Sequence, residues 1–224
     1  MQECHKRGIV KLVSCLSTCI YPDKAAFPVD ETMIHAGPPH PSNAGYAYSK
    51  RMIDVQNRLY ADQYGRKYTS VVPCNIYGKH DNFSLQDSHV IPGLIHKCYL
   101  AKKQGTPLTV LGSGTPVRQF TYADDLAKLM VWAVQHYDSI DPINMTVSEE
   151  DEISIKEVAL LVAQAMHFEG EVVFDASAAD GQYKKTASNA KLMQLLPDFR
   201  FTPIQDAFKE TVDWFVANYD KVRK

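Results

Sequence analysis

Nowhere in these 224 residues is there an apolar run near the roughly 20 residues a bilayer crossing needs; stretches such as Leu129 to Val134 and Val158 to Ala163 are its longest. No membrane partner is expected. The chain also lacks an excess of either charge, with 24 Lys and Arg against 26 Asp and Glu for a net charge of -2. Nothing here supplies the basic surface that a phosphate backbone requires, so nucleic acid is not an expected partner. The opening residues Met1 to Arg7 lead into no secretory core, because the run Ile9 to Cys19 is broken by Lys11. Five cysteines, an odd number without a Cys-x-x-Cys pair, argue against a disulfide framework or a zinc site and for a reducing compartment, by default the cytoplasm. The sequons at Asn82 and Asn144 have no secretory context to give them meaning. Internal repeats and low-complexity segments are absent. So is any G-x-G-x-x-G turn of the kind that cradles a pyrophosphate at a helix N-terminus; Gly112-Ser113-Gly114-Thr115-Pro116 runs into proline instead.

What remains is a composition of 45% hydrophobic and 22% charged residues, enough for a real core in one or two compact domains. β-rich runs alternate with helical ones, which is the pattern of an α/β protein with a mostly parallel sheet. Strands are expected at Ile9 to Leu16, Thr69 to Cys74, Leu108 to Leu111, Ile143 to Val147 and Glu171 to Phe174. Helices are expected at Ala44 to Tyr64, stopped by Gly65, and at Val90 to Gln104, stopped by Gly105. Another should run from Asp124 to Tyr137, with Asp124 or Thr121 as its cap. Ser154 and Glu157 form a capping box for a helix to Met166, and Thr202-Pro203 should open the last helix with proline at its first position.

The chemistry concentrates in two segments. Tyr46 and Lys50 lie one turn apart on one helix face. A phenol titrates near pH ~10 and exchanges protons poorly at neutral pH unless a cation steadies its anion, which Lys50 can do. Upstream, Ser17 and Cys19 follow a strand, and in open α/β sheets the crevice at the carboxyl ends of the strands is where ligands bind. Each residue alone has an ordinary explanation: a strand-end hydroxyl, a small core thiol, a solvated face. Cys15 reads as core, Lys6 and Arg7 as solvated. The pairs His35 with His40 and His89 with His96 lack the carboxylate or thiol that would complete a metal site.

Taken together, Ser17, Tyr46 and Lys50 resemble the catalytic pattern of the short-chain dehydrogenase/reductase superfamily, in the extended branch that acts on nucleotide sugars. The blocks Ser17-Thr18-Cys19-Ile20-Tyr21-Pro22, Tyr77 to Phe83, Ser88 to Pro92, Gly112 to Phe120, Tyr122 to Leu126, Phe174-Asp175 and Asp180-Gly181 are similar to those of the GDP-L-fucose synthase family. The resemblance covers this whole chain and about the last two-thirds of the family's length. It implies a partial doubly wound, Rossmann-like parallel sheet lacking its first strands, with a smaller α+β substrate domain. Residues 1–85 and about 119–150 would be the remainder of an NADP-binding domain, and about 86–118 with 151–224 would bind the GDP-sugar.

The activity implied is NADP(H)-dependent conversion of GDP-4-keto-6-deoxy-D-mannose to GDP-L-fucose, by epimerising two carbons beside a ketone and then reducing it. By resemblance, Cys19 and His89 are the acid/base pair, Tyr46 protonates the 4-oxygen, Lys50 supports it and holds the nicotinamide ribose, and Ser17 orients the substrate. A thiol and an imidazole titrate at about 8.5 and 6.5, close enough to working pH for that exchange. Pro73, Asn75, Ile76 and His89 would line the cofactor, and Lys97, Leu111, Arg118 and Asp180 the substrate. A homodimer is implied as well. Leu111 stands where the family has tryptophan and Cys74 where it has threonine, and the segment carrying the Gly-rich turn is missing. Two alternatives stay open: another nucleotide-sugar epimerase or dehydratase of the branch, or a non-catalytic fragment that binds a GDP-sugar.

Overall fold

The computed structural model describes residues 1–180 and 182–224. These divide into two compact units. The first comprises residues 1–74, 125–150 and 186–199, the second residues 75–124, 151–185 and 200–224.

In the first unit a short helix α1 (Gln2–Lys6) precedes strand β1 (Lys11–Cys15), helix α2 (Ala44–Tyr64) and strand β2 (Lys67–Pro73). β2 is buried from Tyr68 to Pro73, as expected of a central parallel strand covered on both faces. It pairs in parallel with β1, Leu12 opposite Tyr68 and Cys15 opposite Val71, and on its other side with a later strand, Ile143–Met145. Around it Leu16, Ile20, Tyr21, Val29, Ile34, Val72 and Ala187 form an apolar cluster. α2 ends at Gly65, whose φ of 62° lets its own N–H reach back to Ala61 O and the following Arg66 N–H to Tyr60 O. Its buried face is polar, with Ala47, Arg51, Asp54 and Asn57 at helical spacing, while Tyr48, Met52 and Leu59 are exposed.

The second unit opens with β3 (Asn75–Tyr77), then α3 (Val90–Gln104), β4 (Leu108–Leu111), β5 (Val117–Arg118) and β6 (Phe120–Tyr122). The chain returns to the first unit through α4 (Ala123–His136) and β7 (Ile143–Met145). It continues with β8 (Ile153–Ser154), α5 (Ile155–Ala165), β9 (Val172–Asp175), α6 (Ala190–Leu195) and α7 (Ile204–Ala217). β3 pairs in parallel with β6 and β4 with β9, while β5 and β8 pair antiparallel. α3, α5 and α7 bury one core containing Phe83, Ile91, Ile95, Val158, Val162, Phe208 and Phe215. Each such side chain contributes about 1.5–3 kcal/mol on burial.

The α/β class and the long elements agree with the sequence reading, with strand ends shifted by no more than two residues. Three details differ. α4 begins at Ala123 directly after β6, so Thr121 lies in a strand and Asp124 inside the helix, where its carboxylate pairs with Lys79 at 3.1 Å. Pro203 occupies the N-cap of α7 rather than its first helical position. The pairs β3–β6 and β5–β8 are additions the sequence did not announce. The capping box of α5 is present: Ser154 N donates to the Glu157 carboxylate at 2.7 Å and Glu157 N to Ser154 Oγ at 3.1 Å.

Candidate functional site

In the first unit, the segment after β1 turns sharply into a single 3₁₀ turn, Thr18–Ile20. Ser17 caps it, its Oγ accepting from Cys19 N at 3.3 Å, which leaves the Ser17 hydroxyl proton available to a ligand. Cys19 sits in the middle of that turn, half-buried, and all five cysteines of the chain are thiols. Lys50, on α2, donates from Nζ to Cys15 O at 2.9 Å, and its ammonium lies 5.7 Å from the centre of the Tyr46 ring. Tyr46 itself is half exposed, its phenol open to a ligand. Thus the hydroxyl, thiol, phenol and ammonium singled out in the sequence gather at the end of β1 and the first turns of α2. Cys15, in the strand, differs from Cys19: burial raises its thiol, with Lys50 opposing. Pro73 is the buried last residue of β2, opposite Met145.

In the second unit, seven of the residues singled out line one cavity of about 520 Å³: Asn75, Ile76, His89, Lys97, Leu111, Arg118 and Asp180. His89 is the N-cap of α3, presented at the end of a loop tightened by Asx and Ser turns; Asn82 N donates to Asp81 Oδ1 at 2.7 Å, and Ser84 Oγ accepts from Gln86 N and Asp87 N. Burial raises the Asp81 carboxyl, opposed by the Asn82 N–H, His89 and Arg223. Lys97 stands two turns into α3 with no ion pair among the described residues. Arg118 is held rigidly: its guanidinium donates to Val117 O at 2.6 Å, to Tyr183 O at 3.1 Å and to Gln182 O. Burial lowers it, with Glu152 opposing. An ammonium and a fixed guanidinium lining one cavity have the chemistry to hold an anionic group such as a diphosphate.

Leu111 lines that cavity at 60% exposure, so its side chain is available to a ligand rather than to the core. Asp180, which also lines the cavity, accepts hydrogen bonds from the loop beside it. Its Oδ1 accepts from Ser113 N at 2.6 Å and its Oδ2 from Ser113 Oγ at 2.7 Å. The Gly112-Ser113-Gly114 segment is therefore no phosphate cradle but a loop wrapped on a carboxylate, and a Cβ at Gly112 would stand 2.5 Å from Asp180 Oδ1. Gly181, in the same block, lies outside the described residues. The histidines weighed as metal ligands have other partners: His35 Nε2 meets Asp54 Oδ2 at 2.8 Å, and His96 is buried between Phe83 O at 2.7 Å and Tyr219 OH at 3.3 Å. Sequence reasoning missed Arg51, which is buried beside Lys50 and donates to Ile20 O and Gly37 O. Its signal was the polar face of α2, legible only once that face is known to be the inner one.

Residues 1–147 match the NAD dependent epimerase/dehydratase family. A GDP-L-fucose synthase of Dictyostelium discoideum is 61% identical over 99% of this chain and 69% of its own length. In Drosophila melanogaster, a protein described as a probable GDP-L-fucose synthase is 54% identical over 100% of this chain and 72% of its own. The crystal structure of a GDP-L-fucose synthetase from Naegleria fowleri bound to NADP superposes with a TM-score of 0.95 at 51% identity, covering 99% of this chain and 68% of that one. With the Ser17, Tyr46 and Lys50 arrangement and these relatives, the chain belongs to the GDP-L-fucose synthases of the NAD dependent epimerase/dehydratase family.

Proposed function

We propose that this protein is an NADP(H)-dependent epimerase-reductase that converts GDP-4-keto-6-deoxy-D-mannose to GDP-L-fucose. The observation that carries the reading is the gathering of Ser17, Cys19, Tyr46 and Lys50 at the end of β1 and the start of α2, in a chain 61% identical to a GDP-L-fucose synthase. A ketone at carbon 4 makes the protons on carbons 3 and 5 acidic. Cys19 and His89 act as the acid/base pair, one removing each proton and the other returning one to the opposite face. Tyr46 then gives its phenolic proton to the 4-oxygen, Lys50 steadies the phenolate, and Ser17 holds the same oxygen by a hydrogen bond. Lys97 and Arg118 bind the diphosphate, and Leu111 and Asp180 border the rest of the nucleotide sugar.

The residues present fit the reacting end of NADP(H): an exposed phenol beside an ammonium on α2 suits a nicotinamide ribose, and the family resemblance gives Pro73, Asn75, Ile76 and His89 to the cofactor as well. No glycine-rich turn for its pyrophosphate occurs in these 224 residues. When bound, NADP(H) supplies the hydride that becomes the hydrogen on carbon 4. The first unit carries Ser17, Tyr46, Lys50 and Pro73 of the cofactor side, and the second carries the GDP-sugar side together with Asn75, Ile76 and His89. Exposed Tyr48, Met52 and Leu59 on α2 and Val131 and Val134 on α4 support a homodimer formed through these helices. The five thiols suit the cytoplasm.

Turnover with the keto sugar and NADPH tests the reading. Tyr46→Phe should lower NADPH oxidation by about 10²–10⁴-fold while epimerised keto sugar still forms. Oxidation at the parent rate would remove Tyr46 from the reduction.

A further inference from the structure

Consecutive cations of α2 grip the two ends of the segment that carries Ser17 and Cys19. Lys50 donates to Cys15 O at 2.9 Å, and Arg51 donates from Nε to Ile20 O at 2.5 Å. Neighbouring helical residues project about 100° apart, so the two hold the segment from different directions. Arg51 also donates to Gly37 O at 2.7 Å, joining the loop that leads into α2 to the same clamp. It is only 6% exposed, it has no carboxylate partner among the described residues, and its remaining Nη2 is buried without a hydrogen bond. A guanidinium buried on two carbonyls, with the Tyr48 ring 5.5 Å away and no carboxylate partner among the described residues, is a costly way to pack a helix. What it provides is a rigid fork that fixes a backbone position.

We propose that Arg51 is a positioning residue for Cys19: by holding Ile20 O it fixes the 3₁₀ turn against α2 and so sets the thiol's placement relative to the Tyr46 phenol on that helix. The clamp is a property of the fold; its consequence for turnover rests on the epimerase-reductase reading. Arg51 touches no reacting atom in that reading and acts only through the turn.

Arg51→Met and Arg51→Lys, made in this chain, test it with two readouts. The first is the rate of iodoacetamide alkylation of Cys19 across pH, followed peptide by peptide by mass spectrometry with Cys4 as internal reference. The second is deuterium uptake from D₂O into the keto sugar. In Arg51→Met, Cys19 should alkylate at least about threefold faster as the turn loosens and becomes accessible. Deuterium uptake should fall about 10- to 100-fold, the usual result of a small misplacement, with KM changed less than about twofold. Arg51→Lys, keeping the charge but not the fork, should lie between, and it decides the matter if the methionine variant does not fold. Parent-like alkylation of Cys19 in the folded variants overturns the clamp. Faster alkylation with unchanged deuterium uptake upholds the clamp and instead overturns the role of Cys19 in epimerisation.

Discussion

Gly114 and Gly105 both adopt left-handed backbone, with φ of 77° and 67°, yet their surroundings differ. A Cβ at Gly105 would meet nothing within 4 Å, whereas at Gly114 it would stand 2.7 Å from the Phe174 ring and 3.2 Å from Lys156 Cβ. The loop cannot easily retreat, because Gly114 O accepts from Lys156 N at 2.9 Å and Pro116 O from Ile155 N at 3.0 Å. Gly105→Ala should therefore cost only the left-handed penalty of roughly 1–2 kcal/mol. Gly114→Ala should add an overpacking penalty of roughly 1–3 kcal/mol, for a total of about 2–5 kcal/mol. Urea melts of the two variants and the parent measure the difference, in which the shared backbone term cancels. Since Gly114 also lines the cavity, its variant should bind the GDP-sugar more weakly than Gly105→Ala does. A difference in stability under about 0.5 kcal/mol would refute the close approach of this loop to Phe174.

Replacing Arg118 with methionine should weaken GDP-sugar binding by about 1.5–3 kcal/mol, the range of a hydrogen bond to a charged group, and calorimetry reads this as a roughly 10- to 150-fold rise in Kd. Lysine should not restore it, because a single ammonium cannot rest on three backbone carbonyls while facing the ligand. Burial raises the Cys98 thiol from 9.0 to about 11, so in the unfolded chain it ionises first. The stability this group contributes is complete below pH 9.0 and is lost as pH rises through about 11. Melts of Cys98→Ala across that range should show a shallower alkaline decline than the parent, and parallel curves would contradict the assignment.

The legible parts of this fold are those with their own local chemistry. Gly65 and Gly105 end their helices in left-handed backbone, and Ser154 with Glu157 closes a capping box, each fixed by neighbours in sequence. The short pairs β3–β6 and β5–β8 escaped because two or three residues carry no alternating pattern; their partners lie far along the chain. Asp124 misled as a cap because β6 runs into α4 without a turn, and its carboxylate is used by Lys79. In the site, the spacing of Tyr46 and Lys50 was visible as a helix turn, and Ser17 and Cys19 as residues past a strand end. Arg51 was invisible since an arginine on a helix reads as solvated, and only the buried polar face of α2 places its guanidinium on Ile20 O. The grip of Asp180 on Ser113 was equally hidden, being a contact between residues far apart in sequence.

The most direct test of the proposed chemistry is nuclear magnetic resonance of GDP-4-keto-6-deoxy-D-mannose incubated with this chain in D₂O without NADPH, because the proton exchange we propose for Cys19 and His89 requires no hydride. Deuterium should appear at carbons 3 and 5, the two flanking the ketone, and Cys19→Ser with His89→Gln should abolish it. A folded chain that binds the keto sugar and leaves both carbons fully protonated would contradict the assignment of epimerisation to these residues.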